Sequence, residues 1–294
     1  MTRPITAGVD GSPESAAAAA WAAREAVRRD LPLRLVHVGQ RLPETLVLAA
    51  LEDTQDRQDR WAGDLLAETE QEIAERHPGL AVTTDVLGED GAASPLVAAA
   101  GDAELLALGA RGHGALVGFL LGSVGQQVIA GAERPVVLVR EGDEASAEAA
   151  GRDVIVGQEG DPEDSAAALE FAFTTAAARG AGVRAVRAWS LPPVFAYSPA
   201  SLALLDESGG MEPHEKKALA AALAPWRERF PDVPVTEHVE IGSAGQVLLS
   251  VASEAQLLVV GRRARRTAVG ARIGSVAHAV LHHAPCPVAV VPPA

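Results

Sequence analysis

The feature that most constrains this chain is that it repeats itself. Leu105-Leu106-Ala107-Leu108-Gly109 returns 152 residues later as Leu257-Leu258-Val259-Val260-Gly261, and Gly122-Ser123-Val124 returns at the same offset as Gly274-Ser275-Val276. Arg134-Pro135-Val136-Val137-Leu138-Val139 likewise becomes Cys286-Pro287-Val288-Ala289-Val290-Val291. The opening segment Ala7 to Ser15 comes back as Val156 to Ser165 with one inserted residue. Four matches in the same order identify a duplication, so whatever one half folds into, the other should fold into as well. The 294 residues are about twice a common domain length of roughly 100 to 150. We therefore expect one domain over 1–140, a linker over 141–152 and a second domain over 153–294. The linker segment, from Glu141 to Arg152, is small, polar and acidic, as exposed connections are.

Each half alternates strand-like and helix-like segments. In the first, the apolar run Ile5 to Val9 ends at Asp10-Gly11-Ser12, and Pro13 opens an Ala-rich helix capped by Ser12 that should end near Asp30. Leu33 to Val38 reads as a second strand, followed by an acidic helix with Trp61, Leu65, Thr69 and Ile73 on one side. Strand Ala81 to Leu87, helix Ser94 to Ala100, strand Leu105 to Leu108, a Gly-rich loop, a helix from Ser123 and strand Val136 to Arg140 follow. Parallel strands need helical crossovers, so each half is expected to be α/β: a doubly wound, mostly parallel five-stranded sheet with helices on both faces. In the second half Leu219, Leu223, Trp226 and Phe230 form the stripe of the long helix, and Pro225 should kink it.

Composition narrows the partners. Lys+Arg 25 against Asp+Glu 39 leaves a net charge of −14, a field that repels nucleic-acid backbones and anionic membranes. Aromatics at 3% mean that Ala, Val and Leu must build the core. Cys286 is the only cysteine, which excludes an intrachain disulfide and a Cys-rich metal or redox site. The N-terminus has no secretory pattern and no apolar run approaches the roughly 20 residues that span a bilayer, so a cytoplasmic location is expected.

The most informative residues follow the fourth strand. Gly109-Ala110-Arg111-Gly112-His113-Gly114 leads through an apolar stretch to Gly122-Ser123-Val124, a spacing of Gly, two residues, Gly, nine residues, Gly-Ser. Glycines let backbone N–H groups approach an anion, and Ser123 at a helix start adds a hydroxyl and unpaired amides, which is chemistry suited to phosphate. Glycines after a strand also make tight turns, but the full spacing with a helix start is harder to meet by accident. No Lys stands at a Walker-type position, so Arg111, His113 or a bound Mg²⁺ would have to offset the phosphates.

On these residues both halves resemble universal stress protein domains, whose ATP-binding members carry the G-x2-G-x9-G-[ST] pattern and an Asp closing the first strand. The resemblance covers nearly the whole chain and implies a Rossmann-like fold of the adenine nucleotide α-hydrolase type. It implies that Asp10 meets the adenosine moiety, Val38 contacts adenine, Gly109, Arg111 and Gly112 surround the triphosphate, and Gly122, Ser123 and Val124 hold its phosphates. The second half departs at Glu159, which replaces Asp10, and at Ala264, which replaces the second glycine. A second site would use Glu159, Gly261, Arg262, Gly274, Ser275 and Val276, with Arg263, Arg265 and Arg266 nearby, and is expected to be altered. The resemblance also implies that the halves pair through Val136 to Arg140 and Val288 to Val291 as an intramolecular pseudo-dimer, with a homodimer as a further step.

Other signals carry less. His278, His282 and Cys286 are spaced like metal ligands, but Pro285 and Pro287 end the helix before Cys286. The pairs Asp53 with Arg57 and Asp56 with Arg60 explain an acidic helix face without a substrate. Ser208-Gly209-Gly210-Met211 lacks the Asp-Ser of a pyrophosphatase loop, and there is no G-x4-GK[ST], nucleophile elbow or first-strand G-x-G-x-x-G. No motif fixes a group to activate water, so no catalytic or metal-ligating residue is assigned. The expected function is a stress-response protein that binds ATP, with Mg²⁺, as a regulatory ligand mainly in the first half. The alternatives are a slow ATPase and a nucleotide-free dimerisation module.

Overall fold

The computed structural model describes residues 2–40, 49–89, 91–110, 122–142, 151–191, 210–262 and 273–293. The chain divides into two compact units that part between Ala147 and Glu148. The first contains β1 (Ile5–Gly8), α1 (Pro13–Arg29), β2 (Leu33–Gln40), α2 (Ala49–Arg76), β3 (Val82–Glu89), α3 (Ala93–Gly101), β4 (Leu105–Gly109), α4 (Ser123–Gly131) and β5 (Val136–Val139). Its strands are parallel and ordered β3-β2-β1-β4-β5, with Gly8 opposite Val36 and Ala7 opposite Ala107. The order reverses between β1 and β4. By the right-handed crossover rule, connections made before and after that reversal lie on opposite faces. Two glycines record this: a Cβ on Gly8 would meet Leu96 of α3, whereas a Cβ on Gly109 would meet the backbone of Glu14 and Ser15 in α1.

The second unit contains β6 (Asp153–Gly157), a 3-10 turn at Pro162–Ser165, α5 (Ala166–Arg179), β7 (Val183–Trp189), α6 (Glu212–Arg229), β8 (Val235–Ile241), α7 (Ala244–Val251), β9 (Ala255–Gly261), α8 (Ser275–His283) and β10 (Val288–Val291). Its order, β10-β9-β6-β7-β8, is that of the first unit, and every pairing within it is parallel. The doubly wound α/β fold expected from the duplication is thus present in both units.

Local chemistry explains where α1 begins and ends. Ser12 has extended backbone (φ −79°, ψ 153°) and its side chain accepts from the Ser15 amide, while Pro13 occupies the first turn. At the other end Asp30 turns left-handed at φ 53°, and its N–H donates to the carbonyls of Ala26 and Val27. Between them the Ala-rich face lets the helix lie close over the sheet, with Ala18, Ala22, Ala23 and Ala26 fully buried. Ser12→Ala should cost about 1 kcal/mol, read as a lower midpoint in urea with unchanged slope.

Two expectations about helix faces need correction. On α2 Ile73 is buried as expected, but Trp61 is 51% exposed, and Ala62 and Leu66, each one residue further on than Trp61 and Leu65, take the buried positions there. Arg60 donates not to the Asp56 carboxylate but to the Asp56 carbonyl oxygen at 3.0 Å, an i to i−4 contact that competes with the surface ion pair. In the second unit Leu219 and Leu223 are buried as expected, and Phe173 of α5 packs against Trp226 and Phe230 at centroid distances of 6.2 and 5.7 Å. Pro225, expected to kink α6, lies inside it, and the helix continues past it to Arg229.

Candidate functional site

Ligands of doubly wound sheets bind beyond the carboxyl ends of the strands, where the strand order reverses. In the first unit this is where β1, β2 and β4 deliver Asp10, Val38 and Gly109. Continuing the register that sets Gly8 opposite Val36 brings Asp10 beside Val38. Asp10 is exposed at the head of a tight loop: its amide donates to Ser15 Oγ at 3.2 Å, and its Oδ1 accepts from the Ser12 amide at 3.0 Å and the Ser12 hydroxyl at 2.5 Å. Gly11, at φ +80°, supplies the left-handed residue this loop requires.

Helix α4 returns from β4 to β5, so it starts at the same carboxyl edge. Gly122 is its N-cap, and the first intrahelical bond to that cap comes from Gln126, so the amides of Ser123, Val124 and Gly125 point outward without an intrahelical acceptor. Gly122 has ordinary extended backbone (φ −61°, ψ 155°), and a Cβ there would meet nothing within 4 Å among the described residues. Neither backbone conformation nor packing among the described residues demands a glycine. An anion seated on the helix start does, since its oxygens would occupy the space of a side chain.

Gly109 is different. A Cβ on it would lie 2.6 Å from both the Glu14 carbonyl carbon and the Ser15 amide nitrogen. The first turn of α1 sits directly against the end of β4, and this glycine is required by packing whether or not a ligand binds. Arg111 and Gly112, with His113, lie outside the described residues.

A cavity of about 440 Å³ lies on the other side of the first loop, between α1 and α2, lined by Val9, Gly11, Ser12, Leu65, Glu68 and Glu72 among others. Its carboxylates disfavour phosphate, and it faces α2 rather than α4. It is not the crevice that the glycine spacing points to.

The second unit reuses the backbone and changes the side chains. The Glu159 amide donates to Ser165 Oγ at 3.0 Å, as Asp10 does to Ser15, and Gly160 at φ +68° stands in for Gly11. Gly274 caps α8 with φ −58° and ψ 155°, leaving Ser275 and Val276 in the first turn, and a Cβ on Gly274 also meets open space among the described residues. Among the described residues Gly261 is looser than Gly109, a Cβ there having Ala168 Cβ at 4.0 Å as its nearest neighbour. Arg262 is half-buried beyond β9 with its amide bonded to Val291 O, while Arg263, Ala264, Arg265 and Arg266 lie outside the described residues.

What the glycine spacing did not reveal is Arg187. Strand registers place it at the position His37 holds in the first unit. Its Nη1 donates to Gln158 Oε1 at 2.5 Å and to the Gly160 carbonyl at 3.0 Å, and its Nε donates to Glu215 at 2.5 Å. Gln158 occupies the place of Val9. A charged and a polar residue at inward strand positions were the available signal, visible only by laying the two repeats over each other.

The histidine cluster on α8 holds no evident metal site. His278 and His282 stack edge to face at 4.3 Å, and burial, followed by the neighbouring His282 and His283, holds the His278 imidazole below its ordinary pKa. Cys286 is buried past the helix end, and no group of three or more His, Cys, Asp or Glu among the described residues could hold an ion. No helix of the described residues is long and apolar enough to cross a membrane.

A profile of the universal stress protein family matches residues 1–140 and again 152–292. The chain belongs to the universal stress protein family. A universal stress protein of Mycobacterium tuberculosis is 35% identical over 289 residues, 97% of this chain and 96% of its own length. One of Mycolicibacterium smegmatis is 35% identical over 297 residues, covering 98% and 97%. The crystal structure of a universal stress protein from Archaeoglobus fulgidus shares the fold at a TM-score of 0.70 and 18% identity, covering 99% of this chain and 98% of that one. This universal stress protein is therefore a tandem of two such domains, similar to relatives along their whole length.

Proposed function

We propose that the first unit binds ATP and that the nucleotide acts as a regulatory ligand, not as a consumed substrate, in a cytoplasmic stress response. The observation that carries this reading is Gly122: a glycine with ordinary backbone and, among the described residues, open space at its Cβ, capping a helix whose first amides have no intrahelical acceptor, at the carboxyl edge that also presents Asp10 and Val38. A nucleotide spanning these points would place its phosphates on α4 and its nucleoside between Asp10 and Val38. Mg²⁺ fits as an ion held mainly by phosphate oxygens and water, with few protein ligands. A ligand regulates by binding two conformations unequally, which requires no group to activate water.

The second unit is proposed to bind nucleotide poorly, because Arg187 and Glu215 pin its first loop and Glu159 replaces Asp10. The test is calorimetric titration of Mg-ATP into nucleotide-free protein, with ADP followed in the same samples. One ATP per chain without turnover is expected. Two would restore the second site, steady ADP release would make the protein an enzyme, and no binding would leave a dimerisation module.

A further inference from the structure

Trp61 lies outside the glycine constellation, yet it lies against Gly11 on one side of Asp10 and against His37, which bonds to Val9 on the other. It is half-exposed on α2, and its indole packs edge-on against the His37 ring at a centroid distance of 5.4 Å. Its benzo edge lies only 3.3 to 3.6 Å from where a Cβ on Gly11 would stand. His37 is buried, and its Nδ1 is 2.7 Å from the Val9 carbonyl oxygen. A carbonyl can only accept, so Nδ1 carries the proton. Val9 and Gly11 are the two neighbours of Asp10. The pair thus bonds to the chain immediately before Asp10 and borders it immediately after, where the indole edge fills the space a Gly11 side chain would take.

We propose that Trp61 and His37 form an aromatic clamp that positions Asp10 for the nucleoside, so that Trp61 is a positioning residue for recognition of the base and ribose but not of the phosphates. This rests on the reading that the first unit binds ATP. The second unit supports it by contrast. The residue in the His37 position, Arg187, also reaches the first loop, but it grips the Gly160 carbonyl directly and is backed by the Glu215 carboxylate. Both units hold the loop from the second strand and second helix. The first does so with a pair of aromatic rings, the second with a guanidinium that takes the Gly160 carbonyl itself.

The test separates the two ends of the nucleotide. Dissociation constants for Mg-ATP and for inorganic tripolyphosphate are measured on the full chain for the wild type, Trp61→Ala, Trp61→Phe and Gly122→Val. Trp61→Ala is expected to weaken ATP about three- to tenfold, the scale of one lost aromatic contact. It should leave tripolyphosphate unchanged, and Trp61→Phe should recover most of the loss. Gly122→Val should weaken both ligands. If Trp61→Ala changes both ligands equally or neither, or if phenylalanine restores nothing, the clamp is only structural and the proposal is wrong. If the wild type binds no ATP, the reading of the first unit fails and the clamp fails with it, an outcome recognisable because it precedes any variant.

Discussion

Gly122→Val is expected to weaken ATP binding to the first unit strongly while the protein stays folded. Extended φ and ψ at Gly122 suit valine, and a Cβ there meets nothing within 4 Å among the described residues, so the cost to folding is limited to a poorer N-cap, about 1 kcal/mol. The cost to binding is larger. Branched methyls over the helix start would displace phosphate oxygens from the Ser123 and Val124 amides, and charge-assisted hydrogen bonds of this kind are worth about 1.5 to 3 kcal/mol each, so losing one or two raises Kd by about ten- to ten-thousandfold. Gly274→Val presents the same backbone change in the second unit and should leave the stoichiometry untouched. Calorimetry on both variants, with thermal melts to verify folding, decides the matter, and equal losses would refute the asymmetry between the units.

Gly109→Ala should behave in the opposite way, lowering stability whether or not nucleotide is present. The new methyl would arrive 2.6 Å from main-chain atoms of Glu14 and Ser15, and a helix backbone cannot swing aside as a flexible side chain can. Overpacking of this kind costs about 1 to 3 kcal/mol. Because the displaced turn carries Ser15, whose hydroxyl receives the Asp10 amide, ATP affinity should fall as well. Gly261→Ala, with 4.0 Å to its nearest neighbour among the described residues, should be close to neutral. Urea denaturation of both variants without ligand provides the comparison, and a Gly109→Ala protein as stable as the wild type would contradict the packing seen at the α1 start.

The difference between those two glycines marks the limit of what the sequence could convey. The strand-helix alternation, the α1 cap at Ser12 and Pro13, and the doubling of the unit are written in short-range signals that survive without tertiary context, and the structure carries all of them. The G-x2-G-x9-G-[ST] spacing, by contrast, treats Gly109 and Gly122 as members of one set. Only the packed structure separates a glycine that α1 needs from one that no described residue crowds. Trp61 misled for the same reason: a large aromatic at helical spacing reads as core, but the helix is rotated so that Ala62 and Leu66 go inward. Arg187 was silent because its meaning depends on Gln158, Gly160 and Glu215, which are distant in sequence and meet only when β6, β7 and α6 assemble.

The serine hydroxyl that receives the loop amide is the same in both units, Ser15 for Asp10 and Ser165 for Glu159. That bond goes to the main chain, so it does not depend on the side chain the loop presents. After a duplication, one copy could therefore exchange its acidic residue, and with it its ligand, without loosening the turn. Folding robustness and chemical specialisation are carried by different atoms of the same three or four residues, which frees one half of the chain to drift while the other keeps its task.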